Sequence, residues 1–150
     1  MANTTQLTLI GDKELLAAFG DLERRAQSGI VGKALRAASR PIVNAARDNL
    51  RAGNHKFTGN LIKSIGLRIK TYRKDGRTIA VIGPRWPEGA HGHLVEFGTG
   101  PRQTEKGKST GFMPATPFLR PAFDAFKGAA LQILTRLIRN GLIARRFKGD

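Results

Sequence analysis

The sequence predicts an α+β fold: a small antiparallel sheet covered by helices, with a long helix near the C-terminal end. Three observations carry this expectation. Apolar residues recur at helical spacing through residues 12–50 and again after residue 116. Two strand-like runs, Gly66–Tyr72 and Thr78–Ile82, flank an Asp75-Gly76 pair, the signature of a tight hairpin turn. Residues 84–114 are punctuated by Gly and Pro and show neither period. A chain of 150 residues suits one domain, here 1–150, and 40% hydrophobic residues are enough for a packed core.

Taken in order, Thr5–Ile10 alternates polar and apolar residues and predicts a short strand. Asp12 can cap a helix to Gln27, with Leu15, Leu16, Phe19, Leu22 and Ala26 on one face. Ser28 can cap a second helix over about 29–50, whose stripe is Ile30, Val31, Ala34, Leu35, Ala38, Ile42, Ala45 and Ala46. Pro41 lies inside that stripe. It lacks an amide hydrogen and crowds the preceding turn, so a kink or break is expected there. Gly53–Gly59 reads as a connection and Leu61–Ile65 as a helical turn. The hairpin spans 66–83, and the island His93–Phe97 is expected as a short strand or turn beside it. The rest of 84–114 is expected as a mobile loop, since Arg102–Thr110 is almost wholly polar and buries too little to offset its own ordering.

Thr116-Pro117 is a good helix start, cap followed by Pro at the first helical position. Leu119, Phe123, Phe126, Ala130, Ile133, Leu134 and Leu137 then form a stripe over about 116–140, with Leu119, Phe123 and Phe126 as expected core anchors. The pattern continues weakly to Phe147. A continuous helix of about 30 residues would be about 45 Å long, against a globule about 38 Å across. A break at Gly128 or Gly141, or a protruding end, is therefore expected.

Charge is the strongest compositional signal. Lys and Arg number 26 against 11 Asp and Glu, a net charge of +15. Residues 1–50 carry +2 of this and residues 51–150 carry +13. Such a field attracts polyanions: nucleic acid, anionic membrane or acidic protein. Candidate polyanion contacts are Arg68, Lys70, Arg73, Lys74 and Arg77 around the hairpin, and Arg136, Arg139, Arg145 and Arg146 on the last helix. With one Tyr and one Trp, base-stacking platforms are poorly supplied, so any DNA contact is expected to be non-specific. No apolar run is long enough to cross a bilayer, and Met1–Gln6 does not read as a signal peptide, so no membrane partner is expected. There is no cysteine, hence no disulfide or thiolate metal site.

Chemistry is sparse. His91, His93 and Glu96 are the best metal candidates, but glycines surround them and His55 is remote, so a polar loop entering a strand is the simpler reading. No nucleophile–base pair stands out, and Gly98-Thr99-Gly100-Pro101 lacks the spacing of a phosphate loop. No cofactor and no catalysis are expected.

Three segments occur together in order: Thr58-Gly59-Asn60-Leu61-Ile62-Lys63-Ser64-Ile65, then His93-Leu94-Val95-Glu96-Phe97-Gly98-Thr99, then Pro114–Phe123 with Pro117-Phe118-Leu119-Arg120-Pro121-Ala122 at its centre. Over about residues 10–135 the chain resembles the tail-component family of lambdoid siphophages, the Hong Kong-type tail proteins. The resemblance implies a structural virion protein of the neck, a tail-completion or tail-terminator component at the head–tail junction. It implies assembly as a homo-oligomeric ring in the host cytoplasm, with other neck and tail proteins as partners. It points to Glu96, Phe97, Gly98, Thr99, Phe118 and Arg120 as subunit or partner contacts. A sequence-independent nucleic-acid-binding protein is the alternative. Where DNA binds, the affinity is expected to fall steeply from low to physiological salt and to be equal for unrelated duplexes in a titration series; a strong preference for one duplex would contradict this electrostatic reading.

Overall fold

The structure, a computed structural model, describes residues 24–53, 59–72 and 74–146, with side chains from Ala26 to Arg145 within those spans. The expected strand at 5–10 and most of the helix expected over 12–27 lie outside the described residues, as do Arg73 and the side chain of Arg146. The order of elements is α1 (Arg24–Ala52), α2 (Asn60–Ser64), β1 (Ile65–Tyr72), β2 (Arg77–Pro84), α3 (Gly92–Phe97), β3 (Thr99–Gln103), β4 (Ser109–Met113) and α4 (Leu119–Arg146). The fold is α+β, with two separate two-stranded antiparallel sheets, β1–β2 and β3–β4.

The frame is the pairing of the two long helices. On α1 the positions Ala26, Ile30, Ala34, Ala38, Ile42, Ala46 and Leu50 recur every fourth residue, and all but the half-buried Ile30 are buried. On α4 and the residue before it, Phe118, Ala122, Ala130, Ile138 and Leu142 lie on the same kind of row and are buried. Rows of this spacing are ridges inclined to the helix axis, and ridge into groove is how such helices mesh. The alanines on both rows keep the ridges low, so the backbones can approach closely. Two clusters result: a main core joining α1 to Leu61, Ile65, Val95, Phe118 and Ala122, and a smaller one of Ala34, Ile138 and Leu142.

This pairing explains several departures from the sequence reading. Ser28 does not cap a helix, because α1 is already helical from Arg24 and its buried row begins at Ala26. Pro41 lies inside α1 without breaking it. Ala38, Ile42 and Val43, buried on either side, anchor both halves, and their packing offsets the cost of a proline in a helix, about 3 kcal/mol. Nor does α4 break at Gly128 or Gly141; it runs for 28 residues, about 42 Å. Gly141 is where α1 comes close: a Cβ there would lie 2.8 Å from Cγ2 of Ile30.

The hairpin β1–β2 forms as expected, with Tyr72 opposite Arg77 and Gly76 in the turn at φ 63°. Leu67 and Ile82 turn inward against the core, and Ile69 approaches Gly32 of α1. The island 93–97 is not a strand but helix α3. Val95 and Glu96 are both buried, and a strand would send these neighbours to opposite faces, whereas one helical turn brings both inward. Within the segment expected to be loop, residues 99–113 pair as a hairpin, with register shifts around Arg102 and positive φ at Gly107 and Gly111. Its glycines accommodate those irregularities, which is why they read as loop.

The expected anchors of α4 are not its most deeply buried residues. Leu119 and Phe123 are only partly buried against the core and Phe126 is 37% exposed, whereas Phe118 is 2% exposed. Truncating Phe118 to Ala should therefore cost about 3–5 kcal/mol of unfolding free energy in a urea titration. Phe126→Ala should cost less than about 1 kcal/mol. The reverse ranking would mean that Phe118 does not anchor the start of α4 in the core.

Candidate interaction surface

The three segments singled out in the sequence converge around one core. Leu61 and Ile65 from the first, Val95 from the second and Phe118 from the third are all buried in the main cluster. Ser64, also buried, bonds through its hydroxyl to the Leu61 carbonyl at 2.7 Å, closing the short helix α2.

The second and third segments are joined by a single side chain. Oε2 of Glu96 accepts hydrogen bonds from the backbone N–H groups of Phe118 (2.8 Å) and Leu119 (2.9 Å), and Oε1 accepts one from Arg120 (3.0 Å). These amides open α4 and have no partner within the helix. A carboxylate beside them is also favoured by the helix dipole. The cap thus comes from a residue 22 positions upstream, not from Thr116, which was the expected cap. Thr116 instead donates its N–H to the Val95 carbonyl at 2.8 Å. Asn49 of α1 donates to the Phe118 carbonyl at 2.9 Å, so α1, α3 and α4 meet at one point.

Glu96 and Phe118 clamp the chain on either side of the β3–β4 hairpin. Gly98 leaves α3 at φ 71°, and a Cβ there would lie 2.7 Å from both the Ala115 nitrogen and the Met113 carbonyl oxygen. Thr99 pairs with Met113, whose N–H also reaches the Thr99 hydroxyl at 3.0 Å. Above this base every residue of β3 and β4 is exposed. Apolar rings accompany the hairpin on the outside: Phe97 is 78% exposed and Phe112 is 70% exposed, each within two residues of the Thr99–Met113 pair. Trp86, in the turn after β2, is 82% exposed.

Of the six expected contact residues, the structure therefore brings all to one place but in different roles. Glu96 and Phe118 face inward and hold the fold. Gly98 and Thr99 are half-buried in the hairpin base, and Phe97 and Arg120 are exposed. Phe112, which flanks the polar stretch 102–110, reads from the sequence as an apolar side chain able to dock on a neighbour, whereas Trp86 was not singled out as a contact; an aromatic in a Gly/Pro-rich stretch was the available signal.

The expected polyanion contacts are spread over two elements. Arg68 and Lys70 lie on β1, Lys74 and Arg77 at its turn and the start of β2, and Arg136, Arg139 and Arg145 on α4; all are exposed. Arg77 is engaged locally, 2.8 Å from Asp75 and over the Tyr72 ring, and its hydrogen bond to Asp75 raises its pKa above the ordinary arginine value. Among the described residues no group of three or more His, Cys, Asp or Glu is gathered for a metal. His93 contacts the Ala90 carbonyl through Nδ1 at 2.9 Å, and Glu96 is committed to α4. No described helix is long and apolar enough to cross a membrane.

This arrangement, a helical frame with a clamped and projecting hairpin, is that of a structural building block. Residues 13–98 match the family model described as "Bacteriophage HK97-gp10, putative tail-component", and the chain belongs to that family. It is a tail component of a bacteriophage, a protein of the virion with other tail proteins as its partners. Comparison with curated proteins and with solved structures gave no match. The match covers the first of the three segments and the second as far as Gly98; the third, from Pro114, is tied to the matched part through Glu96.

The clamp makes a direct prediction. Glu96→Ala leaves three helix-opening amides without acceptors, one of them buried, and should cost about 2–4 kcal/mol of stability by chemical denaturation. Glu96→Gln keeps one carbonyl oxygen and should cost less than Glu96→Ala. Wild-type stability for Glu96→Ala would mean the carboxylate carries no structural role.

Proposed function

We propose that this tail component works at the head–tail junction as a completion or terminator protein, one subunit of a homo-oligomeric ring, and that it is not an enzyme. The observation that supports this reading most is the exposed β3–β4 hairpin on its clamped base. A two-stranded hairpin is marginal in water unless something covers it. Here apolar rings stand exposed at its root, where an interface usually places its anchors. In a ring each subunit offers the same surface to the next, so an arm that folds against its neighbour couples ordering to assembly. Phe97, Gly98, Thr99 and Arg120 are the contacts of the earlier set available to such a neighbour, with Phe112 and Trp86 added. The single domain spans the chain; within 84–114, expected to be mobile, α3 is held to the core by Val95 and Glu96, and the β3–β4 hairpin is the part that moves in the free protein. Exposed Arg136 and Arg145 would face acidic protein or DNA without sequence readout.

Limited proteolysis tests the coupling. The free protein should be cut first near Arg102, Lys106 or Lys108, and those sites should be protected in the particle. Equal resistance in both states would leave the hairpin as a rigid part of the domain. Electron cryomicroscopy of the intact particle tests the position: density for this chain away from the head–tail junction would overturn the reading.

A further inference from the structure

A second surface lies away from the hairpin. A cleft of about 820 Å³ opens between α1, α2, the start of β1 and the turn after β2. Arg36, Arg40, Arg47, Lys63 and Arg85 line it, against one carboxylate, Glu88. Its size falls within the range of ligand-binding clefts. We infer that this cleft binds a carboxylate-bearing segment of an acidic partner protein.

The first argument is the arrangement of charge. Arg36, Arg40 and Arg47 lie four and then seven residues apart, on one face of α1. Like charges at this spacing repel and weaken a helix. The one acid on α1, Asp48, is paired with Arg51 instead. A row of cations that nothing on its own helix neutralises, held over a concave floor, is suited to an external anion.

The second argument is how the floor is built. The Ser64 carbonyl accepts from the Arg85 N–H on the β2 side, and carbonyls alternate along a strand, so those of Ile65 and Leu67 both point away from β2. Arg47 Nη2 donates to the Ile65 carbonyl at 2.7 Å and Arg85 Nη2 to the Leu67 carbonyl at 2.8 Å. The Arg85 side chain reaches there across Gly66, where a Cβ would collide with its guanidinium group. Two guanidinium groups are thereby fixed on the strand edge with donors to spare. Among the described residues, Arg47 Nε is buried and has no hydrogen-bond partner. An oxyanion in the cleft, with a small rotation of that group, supplies the acceptor it lacks.

The third argument selects the ligand. Val43, Ile65 and Leu67 give the cleft apolar walls, and among the described residues no aromatic ring lines it on which a base could stack. A duplex presents its phosphates on a convex surface and would meet only the rim. A second copy of this chain brings +15 and few acids. An acidic segment of a different protein satisfies both charge and shape.

This inference goes beyond the ring reading, because the cleft uses none of the hairpin residues. The test uses the full chain and a short oligoglutamate peptide, followed by fluorescence anisotropy and by backbone amide shifts. Binding should shift amides of Arg40–Arg47 and Lys63–Leu67. The double variant Arg36→Gln/Arg40→Gln changes only exposed side chains and should weaken binding about tenfold or more. Arg136→Gln/Arg145→Gln should change it less than about twofold. Unchanged affinity in the first double variant, or shifts confined to α4, would overturn the proposal. So would a single-stranded oligonucleotide that displaces the peptide and depends more strongly on Arg36 and Arg40, since the cleft would then read phosphate. None of these outcomes bears on whether the hairpin orders in a ring.

Discussion

The carboxylate of Glu96 is the point on which the rest of the structure turns. Three backbone amides at the start of α4 need acceptors, and the carboxylate supplies them from a separate short helix. The consequence is geometric as well as energetic. Because Glu96 sits just before the β3–β4 hairpin and its partners just after it, the bond closes a loop of chain whose ends are then fixed together. The hairpin leaves the body from a defined base, whatever its own stability. Its outward position follows from that closure and from Gly98, which turns the chain where a side chain would collide with Met113 and Ala115.

The body that carries this arm is built with few large side chains. Alanines at positions 26, 34, 38, 46, 122 and 130 make the contact surfaces of α1 and α4 flat. Phe118, Ile65 and Val95 are the largest fully buried side chains, and they come from the three segments that the resemblance rests on. In this fold the three segments thus serve packing and capping. That is the pattern expected of a structural virion protein, in which positions are constrained by shape. The contact surfaces lie elsewhere: on the hairpin, whose exposed aromatics meet a neighbour in the ring reading, and in the arginine-lined cleft beside α1.

Much of the frame was legible in the sequence because it depends on local period. The β1–β2 hairpin announces itself through Asp75-Gly76 and alternating flanks, and the long helices through rows of Ala and Leu. What was not legible depends on distant partners. Five residues from His93 to Phe97 fit a strand or a helical turn equally well. Only the need for Val95 to reach the core and Glu96 to reach α4 decides between them. Thr116-Pro117 looks like a helix start because its chemistry is right, yet an acceptor 22 residues away wins, and the helix begins at Leu119. Phe123 and Phe126 share a stripe with the true anchors, and hydrophobicity alone does not say which row faces α1. The basic cleft was not read from the sequence for the same reason: Arg36, Arg40 and Arg47 meet Lys63 and Arg85 only in the fold.

Hydrogen exchange at single-residue resolution tests the capping of α4 by Glu96 most directly. Amides at the first turn of a helix ordinarily exchange quickly, because nothing within the helix holds them. The Glu96 clamp predicts that Phe118, Leu119 and Arg120 in the isolated protein are protected nearly as well as the centre of α1 around Ala46. It further predicts that this protection disappears selectively in Glu96→Ala while Ala46 stays slow. Rapid exchange of all three amides in the wild type would contradict the account, because α4 would then begin without its cap and the hairpin would have no fixed base.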